Sequence, residues 1–337
     1  MKILVFGAGV LGSLYAARLQ ESGQEVTLLA RGERLNQLRR YSIVLQDSQM
    51  GRQSTTEVGL TEQLTADDCY DLVLVVVRKN QLPDVLPCLA VNRPSPAFLF
   101  MVNNASGPEP LIQAVGRERV LLGFAGAGGT REGHVVTTIM LSGESQPTTI
   151  GELDGRTTPR LEAVTEALRG AGFPTAIEAH MDAWLKTHVA LVSPIANAIY
   201  LAGGSNYRLA NTPDGLLLLR RAICEGFEVL RSLGIPITPA RLQNLVDTPE
   251  PEMVESLRQM MGTSRAEMTM AKHACTARDE ARQLTDDFLA LCAMTSIPTP
   301  AIHRLSTYID PATSPMAEGS AKIPLWETTL PAKAGSF

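Results

Sequence analysis

The sequence predicts an α/β fold in which an N-terminal, Rossmann-type doubly wound sheet is followed by an all-α C-terminal domain. The chain opens on a short apolar run that ends in a glycine-rich turn. Apolar runs and helical patterns then alternate as far as about residue 179, as they do in parallel sheets covered by helices on both faces. Beyond about residue 180 only helical patterns remain.

Chain length supports two domains. The 337 residues exceed what one hydrophobic core usually supports, since a domain averages roughly 150 residues. We therefore assign a dinucleotide-binding domain to residues 1–179 and a helical domain to residues 180–310. Residues 311–337 contain recurring Pro, Ser, Gly and Lys and have little to bury, which predicts an extended or mobile tail.

The first predicted strand, Lys2 to Phe6, runs into a G-x-G-x-x-G turn that opens a helix. In this context Gly7 permits the tight turn, Gly9 lets the backbone approach a pyrophosphate, and Gly12 lets the helix pack closely on its strand. The pyrophosphate is expected on the free N–H groups of the helix start. The predicted cofactor-binding residues of the turn are Gly7, Ala8, Gly9, Val10, Leu11 and Gly12.

The second predicted strand, Glu25 to Ala30, indicates which dinucleotide binds. NAD-binding proteins usually place an acidic residue after this strand to accept from the ribose 2′-hydroxyl, whereas this chain places Arg31 there and Arg34 shortly after. A cation favours the 2′-phosphate, so we expect NADP(H). The alternative is that Arg31 is a solvated loop charge beside Glu33.

Polar residues also follow the fourth and fifth apolar runs, where ligands of an open α/β sheet bind. Arg78 or Lys79 is expected to contact the cofactor phosphates or a substrate carboxylate, and Asn103 the nicotinamide ribose or the substrate. The alternatives are surface cations and a helix-capping asparagine. A hairpin turn at Gly133-His134, leading to an antiparallel edge, and a closing helix and strand near 160–170 and 175–178 complete the predicted domain.

Four helices are predicted in the second domain, over 182–201, 215–233, 239–246 and 264–294. In the first of them Lys186, Ser193 and Asn197 fall within a stripe of roughly 60°. Burying an unpaired ammonium in so apolar a helix is costly, which favours Lys186 as a general acid over a lysine that reaches to solvent. His188 points away from Lys186 by about 160° and is interpreted as a core histidine. Glu280, in the last helix, is either a site residue or a solvated helix charge.

Composition excludes several classes of function. A formal net charge of −5 provides no basic field for nucleic acid or an anionic membrane. Five cysteines lie far apart without a C-x-x-C pair, so neither a disulfide framework nor a metal site is expected. The N-terminus is a strand rather than a basic leader, and no apolar run reaches about 18 residues, so we expect a cytoplasmic protein without a membrane partner.

From Met1 to about Tyr308 the chain resembles the ketopantoate reductase (2-dehydropantoate 2-reductase) family. The resemblance lies in KILVFGAGVLGS, Arg31, DLVLVVVRKNQ, the Asn103-Asn104 pair, GFAGAGGTREGHV and the AWLK start of a helix. It implies hydride transfer from NADPH to the C2 carbonyl of a small 2-oxo acid, ketopantoate to pantoate being the family reaction, between a Rossmann domain and a helical domain. By this resemblance Lys186 is the catalytic lysine, Asn103 contacts cofactor and substrate, and Glu280 is the late acidic residue.

The chain departs from the family pattern where substrate is bound. Arg78 stands at or beside the position of a lysine, Ala190 replaces the first asparagine after the catalytic lysine, and Ser193-Pro194 stands near the second. Ser193 and Asn197 are therefore the expected contacts to the substrate hydroxyl or carboxylate. A reductase of another 2-oxo acid or of an imine, and an NADP(H)-binding redox sensor without catalysis, stay open as alternatives. A homodimer is also left open.

Overall fold

The computed structural model describes residues 1–323. These residues form twelve strands: β1 (Lys2–Phe6), β2 (Glu25–Leu29), β3 (Ile43–Asp47), β4 (Gln53–Thr56), β5 (Gly59–Thr61), β6 (Leu72–Val75), β7 (Phe98–Met101), β8 (Val120–Phe124), β9 (Ala127–Glu132), β10 (Val135–Met140), β11 (Thr148–Glu152) and β12 (Thr175–Ile177). Eight of these form one sheet in the order β12-β11-β8-β7-β6-β1-β2-β5. Every neighbouring pair is parallel except β8 and β11. The predicted doubly wound sheet is confirmed.

Helices connect the strands and cover the sheet on both faces. Those of the N-terminal part are α1 (Val10–Glu21), α2 (Gly32–Tyr41), α3 (Leu82–Ala90), α4 (Glu109–Val115) and α5 (Pro159–Gly170). Alternate residues of β1 belong to two separate apolar clusters: Ile3 and Val5 pack with Leu14 of α1, whereas Leu4 and Phe6 pack on the opposite face. Burial on both faces explains why the central strands are apolar without interruption.

The hairpin at Gly133-His134 is present, and Gly133 has a φ of +57°. The hairpin leads to an antiparallel edge, as predicted, because β9 pairs antiparallel with β10 and is an outer strand. It belongs to a second, four-stranded sheet, β4-β3-β10-β9, in which Val135 of β10 pairs in parallel with Val44 of β3. This pairing joins distant parts of the chain, so a local pattern does not report it.

The chain divides into two compact units, Met1–Lys186 and a second unit that begins at Thr187. Helix α6 (Met181–Leu201) begins in the first unit and continues past Thr187. The helices after it are α7 (Asn206–Ala210), α8 (Pro213–Ser232), α9 (Asn244–Asp247), α10 (Glu250–Met261), α11 (Ser264–Ala266), α12 (Lys272–Thr276), α13 (Arg278–Ala293) and α14 (Pro300–Ser306). Between residues 187 and 323 there is no strand. No helix within residues 1–323 is long and apolar enough to cross a bilayer.

The prediction of one continuous helix over 264–294 is wrong, because the structure breaks it into separate helical segments. Residues Glu267–Ala271 form a π-helical turn between α11 and α12, and Ala277 leaves the helical region with φ −134° and ψ 42° before α13 begins. Neither Gly nor Pro marks this break. The prediction also missed α10, whose buried Met253, Leu257 and Met261 lie at helical spacing and could have indicated it.

Residues 311–323 form neither helix nor strand. The carboxylate of Asp214, at the start of α8, accepts hydrogen bonds from the Ser320 hydroxyl and from the backbone N–H groups of Lys322 and Ile323. The rest of the predicted tail, 324–337, lies outside the described residues. An extended or mobile tail stays a prediction.

Candidate active site

The glycine turn between β1 and α1 is shaped by two close backbone approaches. Gly7 has a φ of +116°, and a Cβ on it would lie 2.3 Å from the carbonyl oxygen of Val76, which follows the adjacent strand β6. A Cβ on Gly12 would lie 1.8 Å from the Gly7 carbonyl oxygen. Neither position can hold a side chain without moving the turn.

Gly9 is the open position of the turn, because a Cβ there would meet no atom within 4 Å. Gly9 is also the N-cap of α1 and provides no side chain to cap it. The first N–H groups of a helix have no intrahelical acceptors, so this end of α1 presents donors beside an unfilled space. That arrangement fits the pyrophosphate of a dinucleotide.

Two arginines follow β2 and differ in their surroundings. Arg31 is exposed, and its Nε donates to the Glu62 carbonyl at 3.0 Å. Arg34, the second cation after this strand, is partly buried and donates to the Ala8 carbonyl of the glycine turn at 3.1 Å. Burial, and to a lesser degree the charge of Arg131, lowers the pKa of Arg34 to about 10.

The loop after β7 is organised by Lys79 and Asn104. The Lys79 ammonium donates to Asn104 Oδ1 at 2.8 Å and to Ser106 Oγ at 2.7 Å, and Asn104 Nδ2 donates to the Gly107 carbonyl at 2.7 Å. Asn103 Oδ1, in contrast, is buried and has no hydrogen-bond partner among the residues described. Since β6 and β7 are parallel neighbours, their carboxyl ends bring Lys79 to this loop.

Arg78, the cation chosen from the sequence, is only half-buried, and its backbone N–H donates to Gln81 Oε1 at 3.1 Å. Lys79 was the alternative cation predicted from the sequence, and it is the buried one of the two. The order of charges along the chain could not distinguish them, because the side chain that enters the loop depends on how the chain leaves β6.

Lys186 lies at the same loop. Its side chain is 12% exposed, and Nζ pairs with the carboxylate of Asp182 one helical turn earlier. A Cβ on Gly107 would lie 4.0 Å from that Nζ. The start of α6 is fixed by apolar contacts, since Leu185 is buried in the sheet's core and the Trp184 ring lies 5.4 Å from that of Phe124.

Ser193 and Asn197 are buried farther along α6, and both contact Thr285 of α13. Ser193 Oγ is 2.9 Å and Asn197 Nδ2 3.2 Å from Thr285 Oγ1. Asn197 Oδ1 is buried and lacks a partner within residues 1–323. Thr285 was missed from the sequence, because nothing in a single threonine of a helix indicates that it faces two polar side chains of another.

Glu280 is 4% exposed, so the alternative of a solvated helix charge is wrong. Its Oε2 lies 3.3 Å from His273 Nε2 across the break at Ala277. His188 lies on another helix, and its surroundings differ. Burial lowers the pKa of its ring to about 3, so the ring is neutral at pH 7. Its lowered pKa fits a packed histidine better than a second acid.

The fold and this site define a class: a Rossmann-type dinucleotide-binding protein with a helical second unit and a sequestered lysine. Residues 3–155 match the family model described as ketopantoate reductase PanE/ApbA. The 2-dehydropantoate 2-reductase of Halobacterium salinarum is 28% identical over 240 residues, 71% of this chain and 78% of that protein. The enzyme of the same name from Archaeoglobus fulgidus is 28% identical over 240 residues, 69% of this chain and 75% of that protein.

Solved structures agree in fold. The 2-dehydropantoate 2-reductase from Geobacter metallireducens has a TM-score of 0.76 at 21% identity, covering 93% of this chain and 100% of that one. D-mandelate dehydrogenase with NADH and anilino(oxo)acetate has a TM-score of 0.75 at 15% identity, covering 92% and 97%. A dimeric ketopantoate reductase from Staphylococcus aureus has a TM-score of 0.68 at 14% identity, covering 92% and 98%.

The chain is similar to the ketopantoate reductase family, and the family-model match lies in residues 3–155. The resemblance and the fold class predicted from the sequence are confirmed. The similarity supports an oxidoreductase, and members of that family bind a nicotinamide cofactor.

Proposed function

We propose that this chain uses NADPH to reduce the C2 carbonyl of a small 2-oxo acid. The observation that carries the proposal is the Lys186 ammonium beside the loop after β7, in the same compact unit as the glycine turn. A lysine held there can protonate an oxygen while the adjacent parallel strands bind the cofactor.

The cofactor residues are those of the turn, Gly7 to Gly12, together with Arg31, Arg78 and Asn103. The open space at Gly9 and the free N–H groups of α1 support a pyrophosphate contact. Arg31 is an exposed cation just after β2, where its guanidinium would attract the 2′-phosphate of the cofactor. When bound, the reduced nicotinamide supplies the hydride for the carbonyl carbon. Asn103 Oδ1 is an acceptor without a partner among the described residues, so it is available to orient ribose or substrate.

Lys186 acts as the general acid in this proposal. As negative charge develops on the substrate oxygen, the ammonium stabilises it and donates a proton, while the Asp182 carboxylate keeps the side chain in one position. Ser193, Asn197 and Glu280 are the proposed contacts to the substrate hydroxyl or carboxylate. Asn197 Oδ1 is the acceptor among them that has no protein partner within the described residues. We also expect a homodimer, as in the dimeric relative.

The substrate within the 2-oxo acid class is open. Ketopantoate is the substrate named in several relatives, whereas Ala190 and Ser193 stand at or near positions where the resemblance led us to expect asparagine. The structural neighbour D-mandelate dehydrogenase was solved with an oxoacetate derivative, which keeps other 2-oxo acids under consideration.

A panel of 2-oxo acids, each assayed with and without an amine while NADPH absorbance is followed, tests the proposal. We expect oxidation of NADPH that depends on the 2-oxo acid and not on the amine. Turnover only in the presence of amine would indicate an imine reductase. Tight NADPH binding without turnover on any member would indicate a non-catalytic binder and would contradict the proposal.

A further inference from the structure

Arg34 connects three segments of the N-terminal unit. From α2 its Nε donates to the Ala8 carbonyl at 3.1 Å, Nη2 to Ser13 Oγ at 2.9 Å, and Nη1 to the His134 carbonyl at 3.4 Å. The first two acceptors lie in the glycine turn and in α1, and the third lies at the tip of the β9–β10 hairpin. One side chain therefore ties the turn to α2 and to the second sheet.

The bond to Ala8 bears on the direction of a neighbouring N–H group. In a trans peptide the C=O and the following N–H point in opposite directions. Because the Ala8 carbonyl is directed to Arg34, the Gly9 N–H is directed away from α2. Ser13 Oγ also donates to the Ala8 carbonyl, at 3.4 Å, so two donors hold the same peptide plane.

The geometry distinguishes Arg34 from a ligand of the cofactor. Three of its nitrogens each donate to protein oxygens, whereas the exposed Arg31 side chain has one hydrogen bond within residues 1–323, from Nε to the Glu62 carbonyl. The hairpin end of this arrangement is also packed, since the His134 ring stacks on Tyr41 of α2 with centroids 4.0 Å apart. Arg34 therefore sits in a built framework behind the turn.

We infer that Arg34 is a positioning residue that fixes the Ala8–Gly9 peptide in the orientation required for a dinucleotide pyrophosphate. It acts through the backbone, so it supports NADPH and NADH equally and does not read the 2′-phosphate. This inference rests on the proposed dinucleotide function of the turn.

The first test needs no cofactor. Hydrogen exchange of the cofactor-free protein is compared for the wild type, Arg34→Met, Arg34→Lys and the control Arg40→Met, which removes the same charge from an exposed position of the same helix. Arg34→Met should accelerate exchange at the Ser13 amide, which donates to the Gly9 carbonyl at 3.0 Å, and leave β1, β6 and β7 unchanged, with Arg34→Lys intermediate and Arg40→Met like the wild type. Unchanged exchange at the Ser13 amide would overturn the inference.

The second test measures the dissociation constants of NADPH and NADH for the same four proteins by fluorescence titration. Arg34→Met should weaken both roughly ten-fold, by loss of charge-assisted hydrogen bonds, with kcat at saturating cofactor little changed. Weaker binding of NADPH alone would make Arg34 a phosphate ligand and overturn the inference. A wild type that binds neither dinucleotide would refute the proposed function instead, while the exchange experiment would still decide what Arg34 does to the turn.

Discussion

At the scale of single residues, the proposed chemistry depends on how Asp182 holds Lys186. The two lie one turn apart on α6, and the Lys186 side chain is 12% exposed while the Asp182 side chain is 39% exposed. Lys186 thus has the partner that a sequestered ammonium requires. The i, i+4 spacing is visible in the sequence and permits this ion pair. It does not determine the pair, because an aspartate at the start of a helix can also turn its side chain in other directions.

Replacing Asp182 tests this arrangement. Asp182→Asn removes the charged partner that holds the Lys186 ammonium in one position, so reductive turnover should fall several-fold. Glu109, across Gly107, is the other carboxylate of this loop and stays in place. Asp182→Glu should restore most of the wild-type kcat. Equal kcat in wild type and Asp182→Asn would show that the carboxylate has no part in positioning the acid.

Arg31 allows a test of cofactor choice. A charge-assisted contact between an exposed guanidinium and a phosphate dianion corresponds to roughly ten- to a hundred-fold preference for NADPH over NADH in kcat/KM. Arg31→Ala should remove most of this preference by weakening NADPH, and the wild-type preference should shrink as salt rises. Equal affinity of the wild type for NADH and NADPH at low salt would contradict a 2′-phosphate contact and indicate that Arg31 is a solvated loop charge.

At the scale of elements, the strand, glycine turn and helix that open the chain were predictable because their determinants are local. Two variants separate packing from binding there. Gly12→Ala places a methyl group 1.8 Å from the Gly7 carbonyl and should cost about 1–3 kcal/mol of unfolding free energy, whereas Gly9→Ala meets no protein atom and should leave stability unchanged. Both should weaken NADPH and NADH. Denaturant titration and cofactor titration of the two variants decide this, and unimpaired cofactor binding by Gly9→Ala would contradict the pyrophosphate assignment.

The elements of the C-terminal unit were predictable only in part. The apolar periodicity of α6 and α8 is strong, and both appear within a few residues of their predicted bounds. The break at Ala277 and the π-helical turn have no such signal, because neither Gly nor Pro stands in residues 267–277. The cluster of Ser193, Asn197 and Thr285 became visible only when the partner helix was placed, because its members lie on two helices far apart in the sequence.

At the scale of the whole molecule, the sheet that carries the site follows from apolar runs, but the second sheet does not. The pairing of β3 with β10 brings together residues some ninety positions apart, from Val44 to Val135, with four strands of the main sheet, β5 to β8, in between. Arg34 depends on this pairing, since one of its acceptors is the hairpin carbonyl of His134. The loop network of Lys79 and Asn104 likewise required the order of strands in space.

Partly buried His188 makes the stability of the molecule depend on pH. Its folded-state pKa of about 3 lies below the usual 6.5, so between these values the unfolded chain binds a proton that the folded protein excludes. The stabilisation of the folded state by the neutral His188 ring is complete above about pH 6.5 and is lost as the pH falls towards the folded-state pKa. Between pH 7 and pH 5 the wild type should lose about 1–2 kcal/mol more unfolding free energy than His188→Gln. Parallel pH dependence of the two proteins in urea titrations would contradict this.

The most direct test of the central claim is the effect of Lys186→Ala on reduction of the best 2-oxo acid by NADPH, beside Lys272→Ala as an exposed-lysine control. Loss of a general acid typically costs 10²–10⁴-fold, so we expect kcat to fall at least about 100-fold in Lys186→Ala, while the dissociation constant of NADPH stays within about two-fold of the wild type. Lys272→Ala should match the wild type in both. Near-wild-type turnover of Lys186→Ala would remove this lysine from the mechanism and contradict the account.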